Sequence, residues 1–341
     1  MTLADYVHTF GQALYRRYGE RVHKVAIDAG FTCPNRDGTK GRGGCTFCNN
    51  ASFSPNGRRP PPVAQQIAAG RAVIARRTGA RKLLAYFQAY TNTYAEISEL
   101  KRQYDAALAE PDVVGLSIGT RPDCVPPPVL DLLADYQDRG HEIWLELGLQ
   151  SAFDATLERV NRGHTFDDYR RAVRAARARR LRVCTHLIVG LPGETAAHAR
   201  ASHGRVLELG VDGLKLHPLH VVKGTVLANS FRRGEYRPIA QHEYITTVTD
   251  LIERTPPAIV FHRLTGTAAA QVLLAPAWCV KKWAVLNAIE RELARRGTRQ
   301  GAVLTAAGTR GTGAIDRASP GALGVIEGRY PVPCRSSEWR P

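Results

Sequence analysis

The sequence predicts an α/β protein whose core is a partial (β/α)6 barrel, similar to part of a TIM barrel, followed by a small C-terminal α/β extension. Short apolar segments alternate with amphipathic helical segments from residue 24 to residue 217. Six of these segments are almost continuously apolar, which is typical of parallel strands covered by helices. A cysteine-rich loop follows the first strand directly, at the carboxyl end where β/α barrels carry their sites.

The predicted elements follow in chain order. An amphipathic helix is predicted over residues 3–19, where Leu3, Phe10 and Leu14 share one face. The six strands are predicted over residues 24–28, 82–88, 113–119, 142–149, 182–189 and 213–217. The helices that connect them are predicted over residues 63–77, 97–109, 129–139, 153–160, 167–179 and 196–209. Right-handed crossovers would curl six such units into a partial barrel.

A change of composition at Thr255-Pro256-Pro257 predicts a domain boundary. Residues 1–255 then form the core domain with its N-terminal helix. Residues 256–301 form the C-terminal extension, with a short strand over residues 259–263 and a helix over residues 281–296. Residues 302–341 are rich in Gly, Ala, Arg, Ser and Pro without periodicity, which predicts a mobile tail.

The composition narrows the function classes. The formal net charge of +16 attracts polyanions, nucleic acid first among them, although a generally basic surface without a specific partner is the alternative. No apolar run reaches membrane-spanning length, and the N-terminus does not resemble a signal peptide, so no membrane partner is expected. Seven cysteines without framework spacing indicate a reducing compartment, and a cytoplasmic location is expected.

The stretch Phe31–Asn50 contains three cysteines, Cys33, Cys45 and Cys48. The C-x-x-C spacing of the last two lets both thiolates reach one metal centre from a single turn, and Cys33 returns across a glycine-rich loop. Structural zinc takes four ligands, and a four-iron cluster used for electron transfer takes four cysteines. Three cysteines would leave one iron open to a small molecule. A zinc site with a fourth ligand elsewhere, or three ordinary thiols, are the alternatives.

Polar residues also end several predicted strands at the same rim. Gln150 follows the fourth strand, and its amide both donates and accepts, which suits an amino-acid head group. The planar guanidinium of Arg162 suits a carboxylate, with a solvated surface arginine as the alternative. Gln88 and Tyr90 lie in a polar, aromatic turn after the second strand, which is typical of a cavity mouth or of a tight turn alone.

Three further stretches have more than one interpretation. His186–Glu194 passes through a Gly/Pro turn that a flat ligand such as adenine could approach closely, although such turns also occur without a ligand. Arg121 and Asp123 after the third strand form an ion pair or face the cavity. The histidines of KLHPLH, which ends the sixth strand, are interpreted as hydrogen-bonded rim residues. The arginines of residues 167–182 form a solvated face or contact phosphates.

Together these stretches resemble the bacterial radical S-adenosylmethionine (SAM) proteins with an appended C-terminal domain, which are related to the elongator catalytic subunit and to oxygen-independent coproporphyrinogen oxidase. The resemblance runs from about Tyr18 to Gly301. It rests on the stretches GFTCPNRDGTKGRGGCTFC, FQAYTNTY, GLSIGTRPDC, WLELGLQS, NRGHTF, HLIVGLPGE, KLHPLHVVKGT and HRLTGTAAAQVLLAPAW. The long gap between Cys33 and Cys45 departs from most radical SAM proteins and is similar to this family's own pattern.

The resemblance implies that the three loop cysteines hold a [4Fe-4S] cluster whose open iron binds SAM. It also implies SAM contacts after the fourth strand and an adenine motif in the fifth. The Gly-Gly-Glu that commonly follows the second strand is absent, and Gln88-Ala89-Tyr90-Thr91 stands in its place. The residues taken as cofactor-binding on these grounds are Gln150, Arg162, Gly190, Glu194, Gln88 and Tyr90.

The function implied is reductive cleavage of SAM to a 5′-deoxyadenosyl radical, which abstracts hydrogen from a substrate. Some members of the family look like tRNA-modifying enzymes that act on wobble uridines, and the basic charge agrees with this. We therefore expect tRNA as a partner and a reduced flavodoxin- or ferredoxin-type protein as electron donor. The alternatives are the same chemistry on a small metabolite or porphyrin-like acid, or a non-catalytic metal-containing RNA-binding protein.

Overall fold

A computed structural model describes residues 2–49 and 60–304, and the predicted tail beyond residue 304 lies outside the described residues. The strands are β1 (Val22–Ile27), β2 (Lys82–Phe87), β3 (Val113–Thr120), β4 (Glu142–Gln150), β5 (Arg182–Val189), β6 (Gly213–Pro218), β7 (Val221–Val222), β8 (Val260–Arg263) and β9 (Leu273–Ala275). The helices are α1 (Leu3–Tyr6), α2 (Phe10–Tyr18), α3 (Val63–Thr78), α4 (Ile97–Leu108), α5 (Pro127–Asp138), α6 (Asp154–Arg159), α7 (Phe166–Ala178), α8 (Ala196–Leu207), α9 (Val226–Arg232), α10 (Gln241–Glu253) and α11 (Lys282–Arg296).

Seven of these strands form one parallel sheet in the order β1-β2-β3-β4-β5-β6-β8, curled into a half-barrel. The predicted fold class is therefore confirmed, with each of the six predicted strands in sequential order. The seventh strand is the segment predicted over residues 259–263. It pairs in parallel with β6 and extends the same sheet.

The core lies between the sheet and the helices that cover it. β2, β3 and β4 are buried along nearly their whole length, as their continuous apolar sequences predict. Ile67 of α3 and Leu100 of α4 have no exposed surface and pack in the same cluster as Leu83 and Leu116 of the strands. Full burial of such a side chain contributes roughly 1.5–3 kcal/mol. The helices thereby hold the strand ends, and the loops that follow them, at one rim.

The single helix predicted over residues 3–19 is wrong, because the chain forms α1 and α2 with an extended break at residues 7–9. The His8 N–H donates to Gln300 Oε1 at 2.8 Å, and the His8 carbonyl accepts from the Phe261 N–H at 2.9 Å. Thr9 forms a parallel bridge to the same Phe261. The break therefore pairs with the edge of β8, a partner that local periodicity does not reveal.

The chain after β6 contains elements that were not predicted. β7 pairs with β9 in a two-stranded antiparallel sheet, α9 follows β7, and α10 lies beside α8 and α11. Helix α11 also packs against α1. None of the helices in the described ranges is long and apolar enough to cross a membrane.

Candidate active site

A cavity of about 270 Å³ opens at the rim formed by the carboxyl ends of the sheet strands and the cysteine loop. Its lining brings together seven of the nine residues predicted from the sequence as metal- or cofactor-binding. These are Cys33, Cys45, Cys48, Gln88, Tyr90, Gln150 and Arg162. Residues separated by more than a hundred positions in the chain therefore share one site, because parallel strands end at the same side of the sheet.

Two polar side chains secure the cysteine loop. Asn35 is buried, donates through Nδ2 to the carbonyl of Asn161, and lies 3.8 Å from Cys45 Sγ. Arg36 Nη2 donates to the Cys48 carbonyl at 2.6 Å. Burial and the neighbouring Cys45 raise the pKa of the Cys48 thiol, whereas Arg36 acts in the opposite direction. The loop is thus clamped to the end of α6 with its thiols facing the cavity.

Arg162 lies at the centre of the site and is only 9% exposed, so the alternative of a solvated surface arginine is wrong. Its Nη1 is 3.4 Å from Cys45 Sγ, and its Nη2 donates to the Gly148 carbonyl at 2.6 Å. Its Nε donates to His164 Nε2 at 3.0 Å. Burial, followed by the arginine charges, lowers the pKa of His164 to about 3, so this ring is neutral and accepts the bond.

The predicted ion pair between Arg121 and Asp123 is confirmed, and Arg121 also lines the cavity. Both bonds of the bidentate pair measure 2.9 Å, and Arg121 Nη1 donates to the Arg162 carbonyl at 2.7 Å. Burial opposes ionisation of Asp123, but the hydrogen bonds and charge of Arg121 outweigh it and lower the pKa to about 2. Lys40 of the cysteine loop adds a bond of 2.6 Å to the same carboxylate. The pair therefore joins the cysteine loop to the backbone of Arg162.

Gly148 provides the space in which Arg162 and Gln150 meet. A Cβ at this position would lie 2.8 Å from Arg162 Nη2 and 2.9 Å from Gln150 Nε2. Both contacts involve the ends of flexible side chains, so the fold can accept alanine only if these groups move. If Arg162 and Gln150 bind SAM, as the sequence resemblance implies, Gly148→Ala should weaken SAM binding about tenfold while the iron content is unchanged, since outer partners of such sites are worth roughly 10–100-fold.

Equilibrium dialysis of SAM against anaerobically reconstituted protein, with iron analysis of the same samples, measures this effect. Gly204→Ala in α8 is the matched control, because a Cβ there meets nothing within 4 Å. Equal SAM affinity of Gly148→Ala and wild type would show that these two side chains do not contact SAM.

A network centred on Glu146 fills the barrel beneath the cavity. Glu146 has no exposed surface. Its carboxylate accepts bonds from Lys24 Nζ, from Ser117 Oγ at 2.6 Å, from His186 Nε2 at 2.7 Å, from Lys215 Nζ at 2.8 Å and from His262 Nδ1 at 3.3 Å. Burial opposes its charge, but the two lysines outweigh this and hold the pKa of Glu146 well below its usual range.

The other members of this network have pKa values shifted by burial. Burial lowers the pKa of His186 to about 4 and that of His262 to about 3, so both rings are neutral. Burial also lowers the pKa of Lys215 to about 7, although Glu146 acts against this shift. Within the described residues, Glu146, Cys184 and His186 lie close enough to hold a metal ion. Because lysine ammonium groups already neutralise this carboxylate, we do not interpret the group as a metal site.

Gly190 and Glu194 do not line the cysteine cavity; they line a separate one beside residues 235–247. The Gly190 carbonyl accepts from Tyr236 Oη at 2.7 Å, and Glu194 accepts from Ser151 Oγ. Burial raises the pKa of Glu194. Ile188, two positions before Gly190 on β5, is the part of this motif that reaches the cysteine cavity. A role of Gly190 and Glu194 in SAM binding stays a prediction.

Sequence reasoning missed the network around Glu146 and the cavity residue Arg263. A signal was present, because Glu146 interrupts the apolar run EIWLELGL and Lys215 interrupts GLKLH. A charged residue in a strand that is buried on both faces must find partners in the interior. Neither its partners nor their number can be read from one strand alone.

The basic helix α7 is largely a solvated, neutralised face. Arg171 pairs with Asp168 at 2.5 Å, Arg179 with Asp131 at 2.5 Å, and Arg170 with Asp167.

The two tryptophans near α11 differ in exposure. Trp278 packs against Tyr244 and donates to the Ile239 carbonyl, whereas Trp283 is 72% exposed beside Lys281 and Lys282.

The family follows from comparison with known proteins. A model described as the radical SAM superfamily matches residues 35–203, and one described as the Radical_SAM C-terminal domain matches residues 211–295. The chain belongs to the radical SAM superfamily, whose members use a [4Fe-4S] cluster and SAM. It is 49% identical over 304 residues to protein YhcC of Escherichia coli K12, covering 89% of this chain and 97% of that protein.

Two more distant likenesses cover part of the proteins concerned. A tRNA uridine(34) acetyltransferase of Methanocaldococcus jannaschii is 32% identical over 145 residues, which are 41% of this chain and 26% of that protein. The solved structure of Methanocaldococcus infernus Elp3 with an N-terminal deletion superimposes with a TM-score of 0.60 at 20% identity. It covers 82% of this chain and 64% of that chain, and at this identity the likeness shows the fold.

Proposed function

We propose that this radical SAM enzyme holds its cluster through Cys33, Cys45 and Cys48 and abstracts hydrogen from a wobble uridine of tRNA. The observation that carries the proposal is the single cavity lined by all three thiols together with Gln150 and Arg162. These side chains supply the ligand types that a cluster and an amino-acid head group require.

The donor set fits a site-differentiated cluster. Of the other described cysteines, Cys124, Cys184 and Cys279 are buried, and none of them lines this cavity. Cys33, Cys45 and Cys48 would hold three irons of such a cluster and would leave the fourth iron open to SAM. With SAM bound, the reduced cluster would supply the electron that cleaves the sulfonium bond of SAM to give the 5′-deoxyadenosyl radical.

The side chains around the thiols have distinct proposed roles. Arg162 presents its guanidinium to the carboxylate of SAM, since a planar fork matches a carboxylate bidentately. Gln150 serves the amino group, and Gln88 and Tyr90 bound the remaining polar wall. Gln150 has a positive φ of 78° at the end of β4, a backbone conformation that is uncommon for a residue other than glycine.

Two features support tRNA as the substrate. The net charge of +16 favours a polyanion. The exposed ring of Trp283 lies beside Lys281 and Lys282 at the start of α11, a combination that binds phosphates and stacks bases. The partial likeness to a tRNA uridine(34) acetyltransferase agrees with this substrate class.

The test of the chemistry is anaerobic incubation of reconstituted protein with SAM and dithionite. We expect 5′-deoxyadenosine to accumulate, as measured by chromatography, at a rate that depends on the loaded cluster. Protein with full iron and sulfide content that forms no 5′-deoxyadenosine would contradict the proposed reaction. Zinc in place of iron would favour a non-catalytic metal-containing protein.

The test of the substrate is tRNA binding by filter assay. We expect affinity to fall at least about tenfold between about 50 and about 200 mM salt, because phosphate contacts release counterions. Trp283→Ala should weaken binding by about tenfold, as expected for a base that loses its stacking partner. Ile97→Ala on α4, an exposed apolar side chain beside Glu96, is the control and should bind as wild type does. No binding at either salt would favour a small metabolite as substrate.

A further inference from the structure

Two cations lie side by side on the adjacent strands β6 and β8, in the wall of the cavity that contains the cysteine thiols. Lys215 of β6 pairs with Arg263 of β8. The register shifts by one residue after Leu214, so that His262 is skipped in the pairing. Like charges directly opposite each other destabilise a sheet. A bulge of this kind is often found beside an active site, where it redirects a side chain. Both side chains line the cavity that contains the thiols.

The two cations are incompletely neutralised. Lys215 Nζ donates to Tyr86 Oη at 2.7 Å and to Glu146 Oε2 at 2.8 Å, which leaves one of its three N–H groups for another acceptor. Glu146 is shared with Lys24. For Arg263, no carboxylate lies within ion-pair distance in residues 2–49 and 60–304. A half-buried guanidinium without a partner is costly unless a ligand supplies one.

The charges of the residues that line the cavity also favour a bound anion over a cation. The described lining residues include five arginine or lysine side chains and neither aspartate nor glutamate. His217 and His220 lie next to the pair, and burial lowers the pKa of His220 to about 4. The buried Nε2 of His220 has no hydrogen-bond partner among the described residues. The neutral His220 ring gives its one N–H to the Gly266 backbone, so its Nε2 accepts a bond from a ligand, whereas the neutral His217 ring can donate to an oxyanion without a charge of its own.

We propose that Lys215 and Arg263, with His217 and His220, form a recess that binds an oxyanion of the substrate, a carboxylate or a phosphate. The inference rests on the proposed function, since it names the chemical class that the SAM-derived radical would meet in the same cavity. The cysteine side then holds the cofactor, and the β6–β8 side holds the charged end of the substrate.

The experiment is isothermal titration of two probes, inorganic phosphate and succinate, into anaerobically reconstituted protein with saturating SAM. We expect at least one probe to bind, and Arg263→Gln and Lys215→Met each to raise its Kd at least about tenfold, as for a lost charge-assisted bond. Arg263→Lys should bind within about threefold of wild type. Arg232→Gln on α9, an exposed arginine outside the cavity, is the matched control. If phosphate binds more tightly than succinate, the oxyanion of the substrate is a phosphate; if succinate binds more tightly, it is a carboxylate.

Three outcomes would overturn the recess. These are no binding of either probe to wild type, equal binding by Arg263→Gln, or competition between the probe and SAM, which would assign the cations to the SAM carboxylate. Formation of 5′-deoxyadenosine without substrate is measured on the same samples. If that reaction fails while binding still depends on Arg263, the proposed chemistry is wrong and the oxyanion site stands. If the reaction proceeds while binding is independent of Arg263, only the recess is wrong.

Discussion

Substitution of Cys45 by serine is expected to remove the cluster and, with it, SAM cleavage. Cys45 is 7% exposed, and its Sγ lies within 4 Å of both Asn35 Nδ2 and Arg162 Nη1. A serine oxygen is a poor iron ligand, and two thiols alone do not hold a four-iron cluster. Loss of a direct ligand should exceed the roughly 10–100-fold effect of losing an outer partner, so 5′-deoxyadenosine formation should fall more than about 100-fold.

Iron and sulfide analysis, the visible spectrum and the rate of 5′-deoxyadenosine formation measure this effect. Cys279→Ala is the matched control, because Cys279 is also fully buried but does not line the cavity. It should retain iron and activity at wild-type levels. Full iron content in Cys45→Ser, or loss of iron in Cys279→Ala, would contradict the assignment of the three loop cysteines as ligands.

Substitution of Glu146 by glutamine is expected to have the largest effect on stability. It leaves the ammonium groups of Lys24 and Lys215 in the barrel interior without the carboxylate that both contact. Removal of one partner of a buried ion pair costs about 3–5 kcal/mol, because each lysine then either keeps an unpaired charge in the interior or gives up its proton. The free energy of unfolding, measured by urea denaturation, should fall by about this amount.

A second variant separates lost charge balance from lost packing. The triple change Glu146→Leu, Lys24→Met and Lys215→Met removes all three charges and should recover part of the loss, since apolar residues often replace buried ion pairs without cost but Ser117 and His186 still lose their acceptor. Glu99→Gln, on the solvent face of α4, should leave the urea midpoint unchanged. Wild-type stability of Glu146→Gln would show that the network does not hold the barrel together.

The cysteine loop and the strand ends illustrate how far local reasoning reaches. The spacing of Cys45 and Cys48 and the position of the loop after β1 were enough to predict a metal site at the rim. Gln150 and Arg162 were predicted on the same rim, and both line the cavity. The site residues could be predicted because strand ends in a parallel sheet converge whatever the details of packing.

Other features depended on contacts that no local pattern encodes. The break between α1 and α2 arises from bonds to β8 and to Gln300, nearly three hundred residues away in the chain. Gly190 and Glu194 were grouped with the SAM-binding residues, but they line a neighbouring cavity, because the turn after β5 packs against residues 235–247. The residue types in the turn could not show whether it faces the cysteine cavity or the neighbouring one.

By itself the sequence determined the fold class, the strand order and the position of the cysteine loop. All three follow from apolar periodicity and ligand spacing, which act over short distances along the chain. Apart from the local pair of Arg121 and Asp123, only the tertiary structure decided which charged side chains meet. The register of β6 and β8 places Lys215 beside Arg263, and the curl of the sheet brings Lys24 to Glu146. Such encounters depend on register and curvature, and these are set by the packing of the whole barrel.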